Sequence, residues 1–280
     1  MDTEGAVDYD ALRRLVEYHI ESGTHAIVSV GTTGESSTLS PKEHIEVVEA
    51  TINAAAGRIP VIAGTGANST SEAIFLTEQA SELGSDAVLL VVPYYNKPTQ
   101  EGLYRHYKAI AEAVAIPQIL YNVPGRTVAD LSNETVARLA EIDNIVGCKD
   151  ATGDLGRGKE LVDMVGDKIS ILSGDDATAL DYMMLGAKGD ISVTANVAPR
   201  LMSQMCDLAL EGKYDEAREI DQKLMALHTS LFVEANPIPV KYAMNKLGYG
   251  ENRLRLPLTQ LSEHYYHDIE AAMKQAQLVW

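Results

Sequence analysis

The sequence predicts an α/β protein, a (β/α)8 TIM barrel with a C-terminal helical appendage, from two features of its hydrophobic pattern. Short runs that are apolar throughout alternate with amphipathic helical stretches, and strands of this kind belong to parallel sheets buried on both faces. Nearly every run ends in polar or glycine-rich residues, and a barrel brings its strand ends to the one face where its active site lies. A doubly wound sheet is the alternative, but no G-x-G-x-x-G motif opens a helix.

The predicted elements follow one another as strand–helix units, after a first helix at Tyr9–Glu21. The predicted strands are Ala26–Gly31, Val61–Gly66, Ala87–Pro93, Gln118–Pro124, Ile145–Asp150, Ile169–Gly174 and Asp190–Ala195. The helices between them include Pro41–Ala56, Ser69–Leu83, Gln100–Val114, Ser132–Glu141 and Ala177–Leu185. Three of these helices begin with a serine followed by a glutamate within the first turn, which is typical of capped helix starts.

Three helical stretches without an intervening strand follow the last predicted strand: Tyr214–His228, Glu234–Leu247 and Leu261–Gln277. No Pro/Gly/Ser-rich linker interrupts the chain. We therefore predict a catalytic barrel domain over residues 1–212 and a C-terminal helical region over residues 213–280.

Composition limits the classes of function. The 280 residues are 46% hydrophobic and carry a formal net charge of −17, which argues against binding nucleic acid or an anionic membrane. No stretch resembles a transmembrane helix or a signal peptide. The two cysteines, Cys148 and Cys206, have no metal-ligand spacing and are too few for a disulfide framework. We expect a cytoplasmic protein without a bound metal.

Lys149 is the candidate for chemistry. It ends the apolar run that begins at Ile145, and a lysine delivered by a buried strand to the mouth of a pocket can act as an amine nucleophile toward a carbonyl compound. On the local sequence alone, a strand-end lysine whose amine reaches into water is the alternative interpretation. The remaining strand ends favour the nucleophile.

Five segments carry a family resemblance, in order and at barrel spacing. They are Gly31-Thr32-Thr33-Gly34-Glu35-Ser36, Tyr94-Tyr95-Asn96-Lys97-Pro98, Tyr121-Asn122-Val123-Pro124-Gly125-Arg126-Thr127, Gly147-Cys148-Lys149-Asp150-Ala151-Thr152-Gly153 and Asn236-Pro237-Ile238-Pro239-Val240-Lys241. Together they resemble the dihydrodipicolinate synthase family of pyruvate-dependent class I aldolases, which includes N-acetylneuraminate lyase. The resemblance runs from about Asp2 to the C-terminal helices.

The resemblance implies that Lys149 forms a Schiff base with pyruvate, without a cofactor. It also implies a proton relay of Tyr121, Thr32 and Tyr95. The adjacent subunit supplies the tyrosine matching Tyr95 in the family, so a homo-oligomer, either a dimer or a tetramer, is expected.

The same resemblance implies two carboxylate sites. Thr33, with the backbone at Gly174 and Ile191, would hold the carboxylate of pyruvate. The Arg126 guanidinium would grip the second carboxylate carried by L-aspartate 4-semialdehyde. The expected reaction is condensation of these two substrates to 4-hydroxy-tetrahydrodipicolinate, in lysine and diaminopimelate synthesis. A pyruvate aldolase acting on sugar acids, or a catalytically impaired barrel, is the alternative.

A feedback site for L-lysine is a further implication of the resemblance. Bacterial members bind lysine at a subunit interface through residues that match Ser37, His44, Asn68, Glu72 and Tyr94 in this sequence. One position departs from the pattern, because lysine-sensitive relatives often have histidine where this chain has Pro41.

The start of the chain also departs from the family pattern. Members begin with a strand that typically ends in Val-Thr-Pro. One further residue follows, and then the motif Asp-x-x-Gly. In this chain Met1 stands at that one further residue, directly before Asp2. Closure needs eight strands, and seven are predicted, so we expect an N-terminally truncated barrel that lacks its first strand. A strand contributes about four or five buried side chains at roughly 1.5–3 kcal/mol each. Reduced stability, impaired activity and open strand edges are therefore expected.

Overall fold

The computed structural model describes residues 1–279. They form two compact units, one of residues 1–60 together with residues from 192 to 279, and the other of residues 61–191. The strands are β1 (Ile27–Ser29), β2 (Val61–Gly64), β3 (Ala87–Val91), β4 (Gln118–Asn122), β5 (Ile145–Asp150) and β6 (Ser170–Ser173). The helices are α1 (Tyr9–Glu21), α2 (Pro41–Ala55), α3 (Thr70–Glu82), α4 (Gln100–Ala113), α5 (Pro124–Thr127), α6 (Asn133–Leu139), α7 (Leu155–Val165), α8 (Ala179–Met184), α9 (Pro199–Leu210), α10 (Tyr214–Ser230), α11 (Ile238–Lys246) and α12 (Tyr266–Gln275).

The unit of residues 61–191 is built on a parallel sheet. Strands β2 to β6 pair in chain order, each with the next, and helices connect them, as parallel pairing requires. Leu90, Leu120 and Ile171 are buried in the middle of these strands. Helix α3 packs on α4, α4 on α6, α6 on α7 and α7 on α8. The predicted α/β fold with a parallel sheet is confirmed.

The other unit contains β1 and is mainly helical. Helix α1 packs on α2, and α10 packs on both α9 and α12, with Leu224 and Leu227 of α10 fully buried. The rings of Tyr242 and Tyr266 stack with their centroids 4.3 Å apart. Helix α2 begins with the predicted cap, since Ser40 and Glu43 each accept a hydrogen bond from the other's backbone N–H. The predicted C-terminal helical part is confirmed.

The predicted strand Asp190–Ala195 is wrong. Only Asp190 makes a parallel bridge, to Ser173, and Thr194–Asn196 forms a 3-10 turn. The Ser192 hydroxyl accepts a hydrogen bond from the Ala195 N–H at 2.8 Å. Such side chain–backbone bonds compete with a sheet ladder, which explains why this β-branched segment turns instead of extending.

Other differences from the predicted elements have local causes. The predicted strand Gln118–Pro124 ends at Asn122, because Pro124 opens the short helix α5. Helix α7 was not predicted, since Gly156 and Gly158 weaken a helical pattern. The fold requires Gly158, because a Cβ there would lie 2.7 Å from the ring of Tyr182.

Three predicted helices have shorter α-helical parts. The stretch Glu234–Leu247 becomes α11, which begins only at Ile238, and Leu261–Gln277 becomes a 3-10 turn at Glu263–Tyr265 followed by α12. The stretch Ala177–Leu185 becomes the 3-10 turn Asp176–Thr178 followed by α8.

Residues 1–279 contain six strands, of which β1 is the first and follows α1. The absence of a first barrel strand stays a prediction. Among the described helices, none combines the length and the apolar character needed to span a membrane.

Burial of His106 predicts a loss of stability in mild acid. Its Nδ1 lies 2.9 Å from the Thr70 hydroxyl, and burial lowers the pKa of His106 to about 4. Below about pH 6.5 the unfolded chain binds a proton at this histidine that the folded chain does not. The contribution to stability is therefore present above pH 6.5 and is lost as the pH falls toward 4. Between pH 7 and pH 5 the loss should be on the order of 2 kcal/mol.

Urea unfolding at both pH values tests this expectation. The substitution His106→Gln should remove that part of the pH dependence, whereas His267→Gln, at an exposed histidine, should leave it as in the wild type. An equal loss of stability in wild type and His106→Gln would contradict the prediction.

Candidate active site

Lys149 and Tyr121 lie side by side at the carboxyl ends of two neighbouring strands. The parallel register pairs Tyr121 of β4 directly with Lys149 of β5, so both side chains project from the same face of the sheet. The Lys149 Nζ lies 4.2 Å from the centre of the Tyr121 ring, and both residues are buried. The structure therefore brings together two of the residues that the sequence singles out, and the amine is withdrawn from bulk water.

Gly174 leaves room for the Lys149 side chain. A Cβ at this position would lie 2.6 Å from Lys149 Cε and 2.8 Å from Ala151 Cβ, which is closer than carbon atoms pack. The Gly174 N–H donates to the Asp150 carbonyl at 2.8 Å, and the Ile191 N–H donates to the Ser173 carbonyl at 3.0 Å. Both predicted backbone sites therefore lie next to Ser173. Gly174 follows it in the chain, and Ile191 is hydrogen-bonded to it.

Asp150 anchors the end of β5 from the opposite face. Its carboxylate accepts hydrogen bonds from the Thr152 N–H at 3.1 Å and the Tyr182 hydroxyl at 3.4 Å, and burial raises the pKa of Asp150. Since successive side chains of a strand point to opposite faces, this anchor holds the backbone that presents Lys149.

A polar network that sequence reasoning missed fixes the end of β4, joining the buried Asn122 to the exposed Asp130 and the half-buried Arg157. The Asn122 amide donates to Asp130 at 2.8 Å and accepts from the Leu131 N–H at 3.0 Å. Arg157 donates to the same Asp130 carboxylate at 2.7 Å and to the Leu131 carbonyl at 2.5 Å. Asn122 next to Tyr121 was visible in the sequence as a polar strand end, but its partners come from distant loops. The network braces the segment that follows α5, the short helix that carries the exposed Arg126.

Tyr94 and Tyr95 occupy a strained loop after β3. Tyr95 is 87% exposed, and its backbone has a positive φ of 75°, as Lys97 has one of 48°, a conformation that costs non-glycine residues energy. The Tyr95 N–H reaches the Thr127 carbonyl at 3.4 Å. The loop presents the Tyr95 ring to solvent instead of packing it.

Three of the five predicted lysine-site residues lie together beside this loop. The Asn68 amide donates to the Tyr94 carbonyl at 3.2 Å. Burial, and then the Glu72 carboxylate, raise the pKa of the Tyr94 hydroxyl. The other two belong to the other compact unit, where Ser37 is exposed in a 3-10 turn and His44 is buried in α2.

Thr32 and Thr33 lie in the turn that follows β1. The Asn236 amide donates to the Thr33 hydroxyl at 3.0 Å. Lys241 Nζ lies 2.5 Å from Glu35 Oε1, and Glu35 has a positive φ of 58°. Asn236 and Lys241, which the sequence analysis includes only as part of a motif, therefore hold the threonine turn in place.

Among residues 1–279, no three His, Cys, Asp or Glu side chains are grouped as a metal site would require.

A buried lysine against a tyrosine ring, on a parallel sheet whose strands are joined by helices, defines an α/β protein with a site suited to amine nucleophile chemistry. The sequence profile of the Dihydrodipicolinate synthetase family matches residues 1–276, and the chain belongs to this family. The resemblance predicted from the sequence motifs is confirmed.

Individual relatives agree along almost the whole chain. The 4-hydroxy-tetrahydrodipicolinate synthase of Pseudomonas putida is 60% identical over 276 residues, which are 99% of this chain and 94% of that protein. The crystal structure of the chloride-inhibited dihydrodipicolinate synthase from Acinetobacter baumannii, complexed with pyruvate, is 58% identical with a TM-score of 0.98, covering 100% of this chain and 96% of the other. The enzyme from Cyanidioschyzon merolae with lysine bound is 40% identical with a TM-score of 0.96, covering 99% and 95%.

The close approach at Gly174 predicts that Gly174→Ala disables Lys149 while the chain stays folded. The added methyl group must displace Lys149 Cε or the adjoining backbone, and a displacement of about 1 Å can reduce a rate by ~100-fold. Borohydride trapping of pyruvate on Lys149 should fall accordingly in the variant.

The matched control is Gly102→Ala in helix α4, where the added Cβ would meet its nearest neighbour at 3.4 Å. Trapping should match the wild type in this control. Wild-type trapping by a folded Gly174→Ala protein, as judged by circular dichroism, would show that Gly174 does not set the position of the lysine.

Proposed function

We propose that the chain is a lyase, a 4-hydroxy-tetrahydrodipicolinate synthase that condenses pyruvate with L-aspartate 4-semialdehyde in lysine and diaminopimelate biosynthesis. The observation that carries the proposal is the buried pair of Lys149 and Tyr121 in a chain 60% identical to an enzyme of that name. The alternative of a sugar-acid aldolase is not favoured by these relatives.

In the proposed reaction Lys149 adds its amine to the ketone carbon of pyruvate, and loss of water leaves a protonated imine. The imine draws electrons from the adjacent methyl group, which loses a proton and becomes an enamine carbon nucleophile. That carbon bonds to the aldehyde carbon of the semialdehyde, whose oxygen takes up a proton. The substrate's own amine then attacks the imine carbon, closes the ring and releases Lys149. The imine is the electron sink, so no cofactor is required.

We assign the proton transfers to Tyr121 with Thr32 and Tyr95, on the strength of the family resemblance. A hydroxyl relay can both withdraw the methyl proton and return one to the aldehyde oxygen. Thr33 and the backbone at Gly174 and Ile191 are assigned to the pyruvate carboxylate. The Thr33 hydroxyl is oriented by Asn236, which supports a binding role for it.

Arg126 is assigned to the carboxylate of the second substrate. Its helix α5 lies in the chain between Asn122, the last residue of β4, and Asp130, which are hydrogen-bonded to each other, so Arg126 follows the same strand end as Tyr121. A bidentate bond to a carboxylate would orient the aldehyde toward the enamine carbon.

The finer fold assignment also belongs to this proposal. The parallel sheet would be part of a (β/α)8 barrel, with residues 1–212 as its catalytic domain and residues 213–280 as the helical region. A cytoplasmic setting is in keeping with the cysteine content and the acidic composition.

The exposed Tyr95 supports a homo-oligomer, a dimer or a tetramer. An aromatic ring that is 87% exposed on a backbone with positive φ is a strained arrangement that a second copy would stabilise by covering it. Tyr94 and Val128 are exposed apolar neighbours in the same unit.

Feedback binding of L-lysine is the accompanying regulatory proposal. Asn68, Glu72 and Tyr94 lie together, and the carboxylate of Glu72 can pair with an ammonium group. A relative that is 40% identical has been solved with lysine bound.

The proposed chemistry is tested by borohydride trapping followed by peptide mapping. Incubation with pyruvate should label Lys149, and Lys149→Arg should abolish the label because a guanidinium does not form the imine. An unlabelled wild-type protein would sink the proposal.

The assignment of Arg126 to the second substrate is tested with the same trapping assay and with steady-state kinetics. Arg126→Ala should leave trapping of pyruvate intact but raise the KM for aspartate semialdehyde by 10-fold or more, an effect of about 1.4 kcal/mol. Arg105→Ala, at an arginine in α4 that is exposed, should leave both properties unchanged. Cleavage of a sugar acid faster than condensation of the semialdehyde would favour the alternative aldolase.

If the adjacent subunit supplies Tyr95 to each Lys149 site, two inactive variants should complement each other. Tyr95→Phe and Lys149→Arg should each be inactive alone. In a mixed dimer one site regains both residues, so refolding the two variants together in equal amounts should restore about a quarter of wild-type activity, given two-fold symmetry. No recovery in mixed dimers detected by native mass spectrometry would mean that Tyr95 acts within its own chain.

A further inference from the structure

The loop of residues 123–131, which carries Arg126 in helix α5, has a strained backbone. Val128 directly follows α5 and has a positive φ of 58°, and a β-branched residue is rarely found in this left-handed region. The Val128 side chain is 66% exposed, so its own packing offers little compensation. A strained residue of this kind persists where the surrounding structure holds it.

Three side chains hold the end of this loop. The Asn122 amide donates to the Asp130 carboxylate at 2.8 Å and accepts from the Leu131 N–H at 3.0 Å. The Gln100 amide of α4 donates to the Asp130 carbonyl at 2.7 Å. Arg157, in the first turn of α7, donates to the Asp130 carboxylate at 2.7 Å and to the Leu131 carbonyl at 2.5 Å. The loop is therefore fixed just after its strained residue.

The backbone of Arg157 is itself held on both sides. Its N–H donates at 3.1 Å to the side chain of Asp154, the N-cap of α7. Its carbonyl accepts a hydrogen bond at 3.1 Å from the amide of Asn133, a buried residue of α6. Helix α7 follows β5, the strand of Lys149. Arg157 thus connects the Arg126 loop after β4 to the segment that follows the lysine strand.

We propose that Arg157 is a positioning residue for the second substrate, because it holds the strained loop in the conformation that places the Arg126 guanidinium. The inference rests on the proposed function, since it requires that Arg126 binds the carboxylate of aspartate semialdehyde. Lys149 and Tyr121 are placed by the backbone pairing of β4 and β5. The effect of Arg157 is therefore confined to the second substrate, and the reaction of Lys149 with pyruvate does not depend on it.

The contribution of Arg157 is one of geometry more than of stability. The Arg157 side chain is 22% exposed and that of Asp130 is 51% exposed, and ion pairs this open to water stabilise a fold little. A guanidinium is a planar fork that can hold two acceptors at once, here a carboxylate and the carbonyl of the buried Leu131. Loss of the fork should change the placement of the loop more than the stability of the chain.

Steady-state kinetics and borohydride trapping of the full-length Arg157→Met variant test the proposal. The KM for aspartate semialdehyde should rise by about 10-fold, because only a fraction of the molecules would then hold Arg126 in its binding position. Trapping of pyruvate on Lys149 should stay as in the wild type. A folded Arg157→Met protein with the wild-type KM for the semialdehyde would overturn the proposal.

Arg58→Met is the matched control. Arg58 also donates to a carboxylate and to a backbone carbonyl, those of Glu17 at 2.8 Å and Ala54 at 2.9 Å, but it belongs to the other compact unit. This variant should lose a comparable set of bonds and keep the wild-type KM. The same rise in KM in Arg58→Met would show a general effect of lost ion pairs and would overturn the specific role of Arg157.

Relief of the strain at Val128 provides a rescue that a merely structural role would not predict. Asparagine tolerates the left-handed region better than valine, so Val128→Asn lowers the cost of the native loop conformation. The double variant Arg157→Met/Val128→Asn should therefore regain part of the wild-type affinity for the semialdehyde. A KM equal to that of Arg157→Met alone would overturn the proposal.

Arg157→Lys keeps the proposal testable if Arg157→Met does not fold. A lysine ammonium is a single point of charge without the fork, so the KM should still rise, and a wild-type KM in this variant would overturn the proposal. The trapping assay separates the two levels of inference. Absence of trapping in the wild type rejects the proposed function, whereas normal trapping with an unchanged KM in the Arg157 variants rejects the role of Arg157 alone.

Discussion

The register between β4 and β5 is the constraint on which the candidate active site around Lys149 depends. It sets Tyr121 opposite Lys149, which leaves the amine 4.2 Å from the centre of the ring. Because side chains alternate along a strand, a slip of one residue would turn Lys149 to the other face of the sheet. Gly174 then determines how closely the next strand end can approach the lysine. The amine of Lys149 is thus positioned by backbone pairing, since Lys149 lies within β5.

Polar groups on the opposite face of the sheet keep this register. Asp150 accepts from Thr152 and Tyr182, and Asn122 connects to Asp130 and Arg157. Asn122 and Asp150 are buried, and in a buried environment hydrogen bonds are electrostatically stronger and unpaired polar groups are costly. The alternation along each strand therefore separates Lys149 and Tyr121 from the residues that hold the strand ends.

Much of the fold could be predicted from the sequence because it depends on local patterns. Helix α1 has the predicted bounds, and β5 does as well, since an amphipathic pattern marks the helix and a continuous apolar run marks the strand. Asp190–Ala195 has the β-branched content of a strand, yet the Ser192 hydroxyl stabilises a turn. Helix α7 was missed because glycines weaken a helical pattern, and the need for glycine at position 158 becomes visible only when the Tyr182 ring is seen to pack there. In both cases the deciding contact is one that composition does not reveal.

By itself the sequence determined the α/β class, the family, and the choice of Lys149, Tyr121 and Arg126 as site candidates, because residue types and their order along the chain are sufficient for these. Only the tertiary structure decided that Lys149 packs on Tyr121 and over Gly174, and that Asn122, Asp130 and Arg157 brace the strand end. Such contacts join residues that are separated along the chain, and their distances depend on strand register and helix packing, which no local pattern specifies.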